Sequence, residues 1–146
     1  MTRTATITYA LQFRGQVEYD GTNERATTRA ASSMLVSVVD RDGPHGRFEG
    51  VGAGEAVFRV ALEDGDPVAG EVDFGGGTTL RLRTAEHHPA GRSAKAYVRH
   101  GAALLEVVGG TGRLAGVRGW VTSNFLLSDT GDLTDTHLGL LFVERP

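Results

Sequence analysis

Cysteine is absent from the chain. That excludes disulfides and thiolate metal sites and fits a reducing, cytoplasmic setting. Lysine occurs once, at Lys95, and tryptophan once, at Trp120. A basic excess is missing too: 15 basic residues face 18 acidic ones, for a net charge of −3. A nucleic-acid partner wants the opposite balance. No apolar run is long enough to span a bilayer, so no membrane partner is expected. Met1-Thr2-Arg3-Thr4 leads into Thr and Tyr with no apolar segment, so no signal peptide is expected. Helical periodicity is lacking outside residues 24–33.

Glycine is what the chain has in plenty. Its 21 glycines among 146 residues are about twice the usual share of roughly 7%. Glycine disfavours long helices and suits turns, bulges and bent strands. With 40% hydrophobic residues, the length suits one globular domain over 1–146.

Period-two alternation runs through much of the sequence. In residues 4–13, Ile7, Tyr9, Leu11 and Phe13 share one face and Thr6, Thr8, Ala10 and Gln12 the other. Residues 16–19 continue that strand past a bend at Gly15, and residues 21–32, small and polar, read as a loop or short helix. Strands follow at 34–39, 47–51, 55–62, 68–74 and 78–84, with turns at 40–44, 63–67 and 75–77. Residues 85–93 read as a polar loop, and strands at 94–100, 102–108, 117–127 and 136–143 complete the set. Many short strands with closely spaced turns imply an all-β sandwich or barrel. Closure removes exposed edges, which favours a single closed antiparallel barrel of about eight strands.

Residues 107–119, Val-Val-Gly-Gly-Thr-Gly-Arg-Leu-Ala-Gly-Val-Arg-Gly, decide between two fold classes. A dinucleotide site needs a helix after such glycines, because the helix N-terminus holds the pyrophosphate. Here residues 117–127 alternate as a strand, and no Lys-Ser/Thr follows the glycines. The segment reads as a hairpin in which Gly109 and Gly110 take positive φ, with Gly116 and Gly119 bending the sheet.

At these residues, and over Ala102 to Val143, the chain resembles the allene oxide cyclase and dirigent barrels. It shares their Gly-Gly-Thr-Gly hairpin near the C-terminus, with Leu114 where an aromatic residue is usual. The resemblance implies an eight-stranded, calycin-like barrel that holds an apolar molecule in its lumen. It also implies a cofactor-independent cyclase or isomerase acting on a polyketide- or lipid-like secondary-metabolite intermediate. None of the family's catalytic residues lies in the hairpin, so the resemblance assigns none.

Candidate site residues come from polar groups inside strands. Tyr97 offers a proton or hydrogen-bond donor, Arg99 an oxyanion clamp and Asn124 a fixed polar contact. Trp120 and Thr122 share the Asn124 face, and with Tyr9 and Phe142 make up the expected substrate wall. His87-His88-Pro89 lacks a third ligand, so no metal is expected. His137, beside the last apolar strand, reads as a satisfied structural residue. The expected partner is an apolar small molecule, with a homodimer as a further expectation. A lipocalin-like carrier is the alternative function; a purely structural protein is the third.

Overall fold

The computed structural model describes residues 3–20, 23–30, 34–40, 43–50, 55–63 and 65–145, with side chains for 4–18, 24–30, 55–63 and 65–144. Ten strands follow in chain order: β1 (Arg3–Asp20), β2 (Asn23–Ala30), β3 (Met34–Asp40), β4 (Gly43–Gly50), β5 (Ala56–Glu63), β6 (Asp66–Gly75), β7 (Thr78–Arg92), β8 (Val98–Thr111), β9 (Arg118–Ser128) and β10 (Asp132–Arg145). The only helical turn among the described residues is a 3₁₀ turn at Gly112–Leu114.

Eight of these strands close a barrel in the order β1-β2-β5-β6-β7-β8-β9-β10, and β10 returns to β1. Every pairing is antiparallel. The seam is long, running from Arg3↔Arg145 to Gln16↔Asp132. β1 uses its other edge twice. Arg14 to Asp20 pair with β2, and Thr6 to Thr8 pair with β3, so the β3–β4 hairpin extends the wall beyond the end of β2.

The all-β closed barrel is the architecture expected, and the alternation places the core. Ile7, Tyr9, Leu11 and Phe13 all point inward from β1; Ala56, Phe58, Val60 and Leu62 do so from β5. Several elements differ from expectation. Residues 23–30 form a strand rather than a loop or helix. Its inward positions are Ala26, Thr28 and Ala30, too small and polar for their period to stand out. β7 continues to Arg92 through the expected loop, with irregular pairing at Thr84/Glu86 and His88/Gly91. Both faces of that extension are exposed, so no alternation marks it. The two segments expected around Gly101 are one strand, β8, which begins only at Val98. β10 starts earlier than expected, at Asp132. Of the expected turn and strand near β4, Arg41, Asp42 and Val51 lie outside the described residues.

Beyond Thr111 the chain makes one 3₁₀ turn and then runs extended as β9, so no helix follows the glycines. Positive φ falls at Gly112, Gly116 and Gly119. Gly109 and Gly110 lie instead within β8, which corrects the assignment of the turn to that pair. The 3₁₀ turn buries Leu114 completely, and Val117 is nearly so. Together they plug this end of the barrel.

Candidate functional site

Strand parity builds a polar cluster inside the hydrocarbon interior. On β10, Leu133, Asp135, His137, Leu141 and Val143 share the inward face at a period of two. On β9 the same rule turns Val121, Ser123, Phe125 and Leu127 inward. Tyr9 arrives from β1, opposite Gly139 of β10. A Cβ on Gly139 would fall under 3.0 Å from atoms of the Tyr9 ring, so only glycine leaves room for that ring at this register.

These groups form one hydrogen-bonded chain. Ser123 Oγ donates to Asp135 Oδ1 at 2.5 Å. His137 Nε2 lies 3.1 Å from Asp135 Oδ2, and His137 Nδ1 lies 3.2 Å from Tyr9 Oη. A carboxylate only accepts, so Nε2 carries the imidazole proton. In that tautomer Nδ1 is an acceptor, and the Tyr9 hydroxyl donates to it. All four side chains are buried, none more than 2% exposed. Thr28 adds a fifth buried polar group, its hydroxyl donating to the Phe58 carbonyl at 3.3 Å. Among the described residues, no buried side-chain nitrogen or oxygen lacks a partner.

Aromatic rings enclose the imidazole. Phe58 meets it edge-on at 4.6 Å between centroids, and Phe13 lies at 4.8 Å. Phe74 packs edge-on against Tyr9 at 5.4 Å. The surroundings are therefore dry and of low dielectric, where hydrogen bonds are strong and a lost partner is expensive. Burial pushes the Tyr9 phenol well above its ordinary pKa, and the charge of Asp135 pushes it the same way. Tyr9 is accordingly a neutral donor at physiological pH.

Of the seven residues expected to form the site, only Tyr9 lies inside. The parity that turns Val121, Ser123 and Phe125 inward turns Trp120, Thr122 and Asn124 outward. Phe142, between inward Leu141 and Val143, is half-buried on the outer wall. Arg99 is exposed beside Gly65. Tyr97 sits in the turn before β8 with φ of 62° and 80% exposure. These six side chains do not converge on the interior; on β9 it is the face of Val121, Ser123, Phe125 and Leu127 that claims it. His87 and His88 stand exposed on β7.

Sequence reasoning set aside His137 and missed Asp135 and Ser123. The available signal was register: Asp135 and His137 fall an even number of residues from Leu133, Leu141 and Val143, and Ser123 lies midway between Val121 and Phe125.

No family model and no curated protein matches the chain. Among solved structures, the chain is similar to the pterocarpan synthase dirigent protein GePTS1. The likeness covers 97% of this chain and 88% of that one, at 13% identity and a TM-score of 0.42.

Proposed function

We propose that the barrel interior is a proton-handling site. An apolar, polyketide- or lipid-like molecule is cyclised or isomerised there without a cofactor. The observation that carries this reading is the buried Tyr9–His137–Asp135 chain. Asp135 orients the imidazole and balances the charge His137 gains on protonation. Tyr9 passes its own proton to Nδ1 while its oxygen takes one from a substrate carbon or hydroxyl. The reverse transfer returns a proton at another atom, so the cycle closes with no net change. Positioned transfer of this kind contributes about 10²–10⁴-fold to a rate. Folding a flexible substrate against the Phe13, Phe58 and Phe74 rings supplies orientation, worth up to roughly 7–11 kcal/mol in favourable systems.

The test is deuterium incorporation from D₂O into a panel of unsaturated ketones and linear polyketide mimics, read by mass spectrometry. Binding of the apolar fluorophore N-phenyl-1-naphthylamine is measured in parallel. The wild type incorporates label, and Tyr9→Phe and His137→Gln lose it while still binding the fluorophore. Fluorophore binding with no incorporation in any sample identifies the lipocalin-like carrier instead. Neither binding nor incorporation identifies a structural protein.

A further inference from the structure

The outer wall carries a second feature that the interior does not explain. Across β1, β10 and β9, the register sets Thr8 beside Leu140 and Trp120, Ala10 beside Leu138 and Thr122, and Gln12 beside Thr136 and Asn124. These three rows of outward positions contain no charged side chain. They include large apolar groups in water: Leu138 is 59% exposed, and Leu140 and Trp120 are each 45% exposed. Isolated exposed leucines are ordinary, but a contiguous apolar patch marks a contact surface.

We propose that this face is the two-fold interface of a homodimer, covered by the same face of a second copy. Three strands about 4.8 Å apart and three side-chain repeats of about 6.8 Å give an uncharged block on the order of 300 Å². That suits the dry centre of a standard interface, which buries about 800 Å² per partner including its polar rim.

The rim matches a copy of itself. At one end of the block, Arg118 pairs with Glu144 at 3.7 Å; along its side, Glu106 stands beside Trp120 and pairs with Arg83 at 2.6 Å. Arg14, one row beyond Gln12, and Glu86, beside Leu104, complete the rim, so three cations face three anions and leave no net field to attract an acidic partner, a basic partner or an anionic lipid surface. A second copy presents the same balanced rim, so the two faces meet without net repulsion. The face also holds both halves of a steric fit. Leu138, Leu140 and Trp120 protrude. Beside them, a hollow of about 380 Å³ is bordered by Ala102, Leu104, Thr122 and Asn124, with Glu86 and His88 at its outer edge. Knob and recess on one patch are what a self-complementary contact requires.

Sedimentation equilibrium of the full chain over a concentration series tests this. The wild type reaches twice the monomer mass. Leu138→Glu places like charges near the axis and weakens association at least ~30-fold, the loss of one central contact. Thr122→Arg, at an exposed position, gives the same result by a substitution that leaves the core alone. Arg59→Glu, on the far wall, leaves the mass doubled. A wild type at monomer mass throughout overturns the proposal. So do Leu138→Glu and Thr122→Arg variants that both remain dimeric, and a monomeric wild type that pellets with phosphatidylcholine vesicles.

Discussion

The barrel has two halves built on the same alternation and opposite in chemistry. β2, β5, β6 and β7 follow the ordinary rule. Their inner face is hydrocarbon from Val60, Val72, Phe74, Leu80 and Leu82, relieved only by the hydroxyls of Thr28 and Thr78. Their outer face carries Arg25, Arg29, Arg59, Arg81 and Arg83. β1, β8, β9 and β10 invert it at a handful of positions. Every buried ionisable side chain among the described residues—Tyr9, Asp135 and His137—lies on this half, while its outer wall presents Leu138, Leu140 and Trp120. Both halves close the same core, so closure does not require the inversion. Buried ionisable groups and exposed large apolar groups each work against a stable, soluble monomer. The places where local rules are broken are where function is to be sought.

The largest expected effect comes from breaking the inner inversion. His137→Ala strands Asp135 in hydrocarbon and is expected to destabilise the fold by about 3–5 kcal/mol, read by urea denaturation. Gly139→Ala drives a methyl into the Tyr9 ring and is expected to cost about 1–3 kcal/mol in the same assay. Tyr9→Phe leaves Nδ1 of His137 without its donor, for a loss of about 1–2 kcal/mol at neutral pH.

That last variant also sharpens the comparison through pH. The native phenol holds its proton above the ordinary tyrosine value of about 10, whereas the unfolded one releases it there. The unfolded state then binds fewer protons, so wild-type stability falls as pH rises past that value. Stability measured from pH 8 to 11 is expected to slope downward less steeply in Tyr9→Phe. The smallest effect lies on the charged wall. Arg83→Ala removes a half-exposed ion pair with Glu106, and its expected change in urea midpoint corresponds to about 0.2–1 kcal/mol. A loss as large as that of His137→Ala would erase the distinction between the halves.

How far the sequence carried this reading depended on contrast between faces. β1, β5 and β9 show large apolar residues alternating with polar ones, and their strands and inward positions were legible. β2 has only Ala26, Thr28 and Ala30 inside, so its period is almost silent. The interior site was hidden for a related reason. Asp135 follows a turn and resembles turn chemistry, and only its register with Leu141 and Val143 sends it inward. Trp120, Thr122 and Asn124 share a face, as alternation said. Which face becomes the inside is decided by competition with Val121 and Phe125, and a Trp-containing face lost that competition because its mate is wholly apolar apart from Ser123.

The β1–β10 seam joins Arg3 to Arg145 and Gln16 to Asp132, pairing the first strand of the barrel with the last. A contact map dominated by such distant partners slows folding, since the loop must close before the contacts reward it. On the ribosome, β1 emerges with one edge waiting for β10, which is made after every other strand of the barrel. The nascent chain therefore depends on staying soluble through translation, and shielding of that edge by a chaperone would raise its yield.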